Sequence, residues 1–392
     1  MKIINIKPKT RKKGFDKSNF TFSDVKNKID DELLIKLNIL KRKIINYNLN
    51  SNEKKIINKI LKSYEKISSN LKLKEDDMVL ENQELLEFKK ISEKNYARYL
   101  IYRYKYNIYP KIKVIDEFPP CVQIEPTSIC NFRCVMCYQA DKTFSSKSKG
   151  FMGHMNIDLF KKCIDQLEGK VEALTFASRG EPTLSKSFKE MIKYTNDKFL
   201  GLKINTNASM LNEEMIHLLL SSDIQTIVFS IDSKDKESYE KIRVNGNFEK
   251  TLKNLELFNN IRDKEYNRSD KIVRISGVKI NDKQNVNEMK KKWGNIADII
   301  AFTNYTPWES SYDNEINNID TPCNELWTRM FIWWDGKVNP CDYDYKSYLS
   351  KWNVKNRNIS DIWNSFEYND LRLKHLSNLR NSVEPCKRCI SA

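Results

Sequence analysis

The stretch CNFRCVMC, Cys130 to Cys137, places three cysteines at separations of four and three. It follows a short apolar run, CVQIEP at 121–126, and precedes an amphipathic segment, MNIDLFKKCIDQL at 155–167. The same alternation recurs along the chain. VEALTFA (171–177) precedes SKSFKEMIKYTN, LKINTN (202–207) precedes NEEMIHLLLSS, and IQTIVFSID (224–232) precedes the helical pattern after Gly246. KIVRISGVKI (271–280) precedes NVNEMKKKW, and IADIIAFTNY (296–305) closes the series. β-branched runs of this length read as strands and the segments between them as helices of period 3.6. Six such alternations predict an α/β fold with a parallel sheet and crossover helices, here a partial (β/α)6 barrel. In such folds chemistry gathers at the carboxyl ends of the strands. CNFRCVMC, SRGEP (178–182), TNAS (206–209) and SIDS (230–233) all fall at that edge.

Outward from this core, residues 1–110 read as a basic, mainly helical extension whose first 25 or so residues have the composition of a disordered arm. IDDELLIKLNILKRKIINYNL and NEKKIINKILKSYEKISSNL carry apolar residues three and four apart, as amphipathic helices do. The core is expected over 111–306 and a small β-hairpin and helix domain over 307–392. The net charge of +16 is concentrated in residues 1–120, where 28 Lys and Arg face 16 Asp and Glu. Such a surplus can attract an acidic partner, but it lacks the aromatic interleaving of a nucleic-acid platform, so nucleic acid is not the expected partner. No apolar run reaches the length of a membrane span and no secretion signal opens the chain; a cytoplasmic location is expected. In that compartment the nine cysteines are not a disulfide framework, and the clustered ones point to metal. Cys121 and Cys163 read as buried structural thiols.

Three thiolates from one loop can ligate three irons of a [4Fe–4S] cluster and leave the fourth iron open. Zinc fits poorly, since it favours four ligands, often in CxxC pairs. The spacing Cys130, Cys134, Cys137, with apolar Met136 before the last cysteine, resembles the CxxxCxΦC signature of the radical S-adenosylmethionine (SAM) enzymes, and the resemblance extends over about residues 95–392. It implies a [4Fe–4S] cluster with SAM at the open iron, fed by a flavodoxin- or ferredoxin-type donor and yielding a 5′-deoxyadenosyl radical that abstracts hydrogen. Arg179-Gly180-Glu181-Pro182 resembles the family's GGEP stretch, which contacts the SAM amino group, with Arg179 in place of the first glycine. Ser230, Asp232 and Arg243 resemble the stretch whose serine and arginine hold the SAM carboxylate, a task suited to a guanidinium fork. Asn205 is expected at the ribose or the substrate.

A second group, Cys323, Cys341, Cys386 and Cys389, has the pattern C-x17-C-x44-C-x2-C. By count alone it suits zinc or a second [4Fe–4S] cluster. FIWWDGKVNPC resembles the hairpin of SPASM and twitch domains, with Asp335-Gly336 as its turn. Four cysteines then imply one auxiliary [4Fe–4S] cluster that accepts an electron rather than substrate. The twitch-type spacing resembles that of cyclitol dehydrogenases of aminoglycoside assembly, so the resemblance implies oxidation or epimerisation of a sugar-like small molecule. A radical SAM peptide maturase is the alternative, although the helical extension does not look like a leader-binding winged-helix domain. A non-catalytic iron–sulfur or zinc protein is a third possibility, for which an open iron has no use. For proton transfer the candidates are His154, Arg274 and Tyr305, with Asn304, Trp308, Glu309, Asp342 and Asp344 also near strand or hairpin ends; His217 and His375 sit in helical patterns.

Overall fold

A computed structural model describes residues 31–267, 271–281 and 284–390. The proposed disordered arm lies outside them. Helices α1 (Asp31–Arg42), α2 (Ser51–Ser68), α3 (Asn82–Lys90) and α4 (Tyr96–Ile112) form the extension. α2 begins at a capping box in which the Asn50 side chain accepts from the backbone of Asn52 and Glu53, and Glu53 answers to the Asn50 amide. Its buried residues Ile56, Ile57, Ile60, Leu61 and Tyr64 lie on one face. The sequence of α4, YARYLIYRYKYNIYPKI, is apolar or aromatic on most of its circumference, so the helix is buried nearly all round. Full burial of a side chain such as Leu100 contributes roughly 1.5–3 kcal/mol.

The sheet has nine strands: β1 (Cys121–Ile124), β2 (Ala173–Phe176), β3 (Gly201–Thr206), β4 (Thr226–Ser230), β5 (Ile272–Lys279), β6 (Ile299–Asn304), β7 (Arg329–Ile332), β8 (Lys337–Asn339) and β9 (Trp352–Asn353). Their spatial order is β6-β5-β4-β3-β2-β1-β7-β8-β9. The six strands read from the sequence are all parallel, with crossover helices on one face. The Asp335-Gly336 turn is present, with Gly336 at φ +86°, where a side chain would be strained. The hairpin, however, is not a separate layer. β7 pairs in parallel with β1, each residue opposite one 208 positions along the chain, as Cys121 is opposite Arg329, and carries the core sheet outward through two antiparallel strands. Met330 and Ile332 thereby continue the apolar row that Val122 and Ile124 begin.

Side chains alternate across the sheet. Val122, Leu174, Leu202, Ile227, Val273 and Ile300 pack into the helical layer as one core. Their neighbours Gln123, Thr175, Lys203, Asn205, Arg274 and Ser276 take the opposite, concave face, together with Val228 and the apolar group Ile272, Ile299 and Ala301. The extension closes the amino end of this barrel. Its core includes Cys121 and Ala173, the first residues of β1 and β2, and Arg98 forks onto Glu172 with two contacts of 2.8 Å. Among the described residues no helix is long and apolar enough to cross a membrane.

Candidate active site

The cluster loop leaves the carboxyl end of β1 and is pinned on two sides by its backbone. Arg133 N donates to Val244 O (2.8 Å) and Val135 N to Ile242 O (3.0 Å), which fixes the loop to the end of the helix Lys236–Ile242. Asn131 donates to Ser209 Oγ at 2.8 Å and accepts from Asn207 at 3.0 Å, joining it to the loop after β3. Gln139, unremarked in the sequence, ties the far side by donating to Ser128 O (2.8 Å) and Arg179 O (2.5 Å).

The three thiols converge. Burial, then Glu181, pushes the Cys130 thiol up to about 12. Burial also raises Cys137, with Cys134 and Cys130 adding to it, and raises Cys134 against the pull of Arg243. Thiols so placed ionise only against a metal's charge, and together they fit a cluster held by three cysteines. Arg243 Nη1 lies 3.7 Å from Cys134 Sγ, and its Nε lies 2.7 Å from Asp232 Oδ2. Asp232, fully buried, also accepts from Val278 N at 2.7 Å. The guanidinium thus stands between a cluster thiol and a carboxylate at the end of β4, beside half-buried Ser230. Met136 is half-buried within the loop.

Glu181 is buried and lies at the opposite side of the thiols. Its Oε1 accepts from the Thr183 and Thr206 hydroxyls at 2.6 Å and its Oε2 from Asn207 N at 2.7 Å; burial raises its pKa against these bonds. Gly180 supplies close approach rather than unusual torsion. A Cβ there would overlap the Thr127 carbonyl oxygen and stand 2.7 Å from Ile129 O and Ser128 C. Gly180→Ala should therefore displace the cluster loop and cut reductive SAM cleavage roughly 100-fold, read as 5′-deoxyadenosine formed per minute.

Arg179, which departs from the glycine expected there, is the centre of a buried clamp. Its Nε and Nη2 fork onto Glu125 at 2.7 and 2.6 Å, its Nη1 donates to Tyr345 O at 2.9 Å, and its guanidinium lies 4.2 Å from the Trp333 ring. Glu125 in turn accepts from Trp334 N at 3.2 Å. The clamp joins the loop after β2 to the hairpin domain. Stacking of Tyr138 on Trp308, 6.1 Å apart, and the Tyr345–Asp141 hydrogen bond of 2.8 Å extend the same seam. An acid ending the buried strand β1 was the available signal for Glu125, because a buried carboxylate requires a partner.

Cys323, Cys341, Cys386 and Cys389 border one small cavity of about 30 Å³, shared with Tyr343, His375 and Arg380. Arg380 fixes the final turn by donating to Cys389 O at 2.8 Å and Cys386 O at 3.4 Å. Four thiols bordering one cavity fit a cluster held by four cysteines.

The remaining candidates separate. Tyr305 and Glu309 come together just past β6, the tyrosine hydroxyl bonded to Glu309 Oε1, while Glu309 Oε2 is buried without a hydrogen bond. Burial, then Glu309, raises the Tyr305 pKa, and burial raises that of Glu309. His154 forms a β-bridge with Thr127 and lies in the field of Lys186; burial, then that lysine, lowers its pKa. Arg274 lies on the fifth strand, as the sequence suggests. It is the third residue of β5, level with Ile299 at the start of β6, and lies near Lys203 and Glu87 toward the closed end. Strand register, which decides depth, is not visible in a single run.

Residues 124–287 match the family model of the radical SAM superfamily, and residues 323–390 that of the iron–sulfur cluster-binding domain SPASM. The mycofactocin maturase MftC of Mycolicibacterium smegmatis is 27% identical over 160 residues, 39% of each chain, so the likeness spans about two fifths of that relative's length. The tungsten-containing aldehyde ferredoxin oxidoreductase cofactor-modifying protein of Pyrococcus furiosus is 26% identical over 316 residues, 67% of this chain and 86% of its own. The fold is shared with BtrN in complex with AdoMet and 2-DOIA (TM-score 0.50, 18% identity, 71% and 95% covered). It is shared too with Streptococcus suis SuiB bound to precursor peptide SuiA (TM-score 0.53, 18% identity, 87% and 80% covered). Residues 124–287 therefore carry a radical SAM domain and residues 323–390 a SPASM iron–sulfur cluster-binding domain, which together imply a [4Fe–4S] cluster with SAM and auxiliary iron–sulfur ligation.

Proposed function

We propose that the enzyme abstracts hydrogen from a polar, hydroxyl-bearing small molecule of carbohydrate or cyclitol type held in the barrel, and that the substrate is oxidised. The observation that carries this reading is the concave face itself, where Gln123, Thr175, Asn205 and Ser276 offer hydrogen-bonding groups beside the apolar side chains Val228, Ile299 and Ala301. Asn205 Oδ1 is buried and unpartnered there, as a group awaiting a hydroxyl would be. Cys130, Cys134 and Cys137 would hold the first cluster; Glu181 and the backbone at Gly180 would receive the SAM amino group, and Ser230 with Arg243, itself held by Asp232, its carboxylate. When bound, the cluster and SAM supply a carbon radical that takes hydrogen, and the auxiliary cluster supplies an electron acceptor. Glu309, oriented by Tyr305, takes the hydroxyl proton.

A peptide substrate is the second reading, favoured by the maturases among the relatives. The helical make-up of residues 31–112 argues for the first. The test is a panel of ring-deuterated cyclitols and hexoses, in which the reading predicts deuterium in 5′-deoxyadenosine; transfer from peptides alone would overturn it. Glu309 acts as a base only when ionised, and its pKa is raised. Product formation should therefore rise with pH along a limb lying above the usual glutamate range. Glu309→Gln should lower product formation by about 100-fold or more and remove that limb from the pH profile.

A further inference from the structure

We propose that Lys203 and Arg274 form an oxyanion-binding subsite on the barrel floor, so that the substrate carries a carboxylate or a phosphate at the end remote from the reacting carbon. The inference rests on the concave face being the substrate chamber. Both side chains lie on that face, Lys203 on β3 and Arg274 two strands away on β5, each near the amino end of its strand. Among the described residues neither head group has a hydrogen-bond or ion-pair partner, and Arg274 Nε is buried without one.

The nearby acids are already engaged. Glu87 is bonded to Arg103 and, at 2.8 Å, to Tyr99, while Glu325 lies 2.8 Å from Arg329. Burial, then the positive charges of Arg329 and Arg274, lowers the Lys203 pKa to about 8, so the floor carries uncompensated positive potential. Unpaired charge at such depth is costly in a folded protein. Lys203 nevertheless keeps partial exposure, as a side chain lining an internal chamber does. An arriving oxyanion would take a fork from Arg274 and a point charge from Lys203, lifting the mutual repulsion. From Lys203 to the end of β3 at Thr206 the strand rises about 10 Å, and Asn205 and Ser276 line that interval. A small molecule anchored at the floor by its oxyanion would present its far end to the cluster loop.

The test uses the reconstituted full-length chain without reductant or SAM, melted in chloride, inorganic phosphate or acetate at matched ionic strength. The proposal predicts a saturable rise in melting midpoint with phosphate, acetate or both, lost in Lys203→Met and in Arg274→Met. A shift with phosphate alone assigns a phosphorylated substrate, and one with acetate a carboxylate. Lys203→Met should also melt above the wild type in chloride, since it removes an unpaired buried charge. Absence of any anion shift, an undiminished shift in the variants, or a lower chloride midpoint for Lys203→Met would overturn the subsite. Because binding is read without SAM cleavage, failure of the radical reading would show separately, as no 5′-deoxyadenosine from the reduced wild type.

Discussion

Replacing Cys130, Cys134 and Cys137 together by alanine abolishes reductive SAM cleavage and removes about half of the bound iron, because those three thiols hold one of two four-iron clusters. The loop itself should survive. Its shape is set by backbone bonds to Ile242 and Val244 and by the Asn131 and Gln139 side chains, none of which the substitution touches. Circular dichroism unchanged in the far ultraviolet, with 5′-deoxyadenosine absent, is the expected pair of observations. Cys389→Ala provides the contrast. It breaks the auxiliary set at a cavity separate from the cluster loop, so SAM cleavage persists in part while product is lost. Retained cleavage in the triple variant would contradict the assignment of the loop.

The second large effect concerns Arg179. Arg179→Met leaves the Glu125 carboxylate buried, with its charge uncompensated and only the Arg179 and Trp334 amides as donors. Breaking a buried pair from one side costs about 3–5 kcal/mol. The loss falls on the seam between the core and the hairpin domain, because the same guanidinium reaches Tyr345 O and the Trp333 ring. Denaturant unfolding should show the single substitution destabilised by that amount. In the double variant Glu125→Gln, Arg179→Met, where neither charge remains, much of the stability should return. Equal destabilisation in single and double variants would mean that packing of the side chain, rather than its charge, holds the seam.

The strands and their crossovers were legible because each βα unit writes its own local pattern. The cluster loop was legible because its three thiols lie close in sequence, from Cys130 to Cys137. What remained hidden depends on contacts between distant segments. Nothing local to Arg329–Ile332 says that it pairs with β1, and nothing local to Arg179 says that Glu125 awaits it. Arg179 therefore read as a departure from a glycine pattern, whereas the structure gives the larger side chain a partner. Arg274 shows the same limit in another form. Alternation suggests a face of the sheet, but depth along the barrel follows from register with β4 and β6. The docking of α4 across the barrel floor, through Tyr102 and Arg98, likewise has no signature within the helix.

The most direct test of the account is an anaerobic reconstitution in which iron, sulfide, zinc and dithionite-dependent 5′-deoxyadenosine are measured on one sample. Two cysteine-held clusters predict about eight irons and eight sulfides per chain, with SAM cleaved. About four irons with one zinc would remove the auxiliary electron acceptor and with it the oxidative outcome; eight irons without 5′-deoxyadenosine would contradict the radical assignment of the Cys130–Cys137 loop.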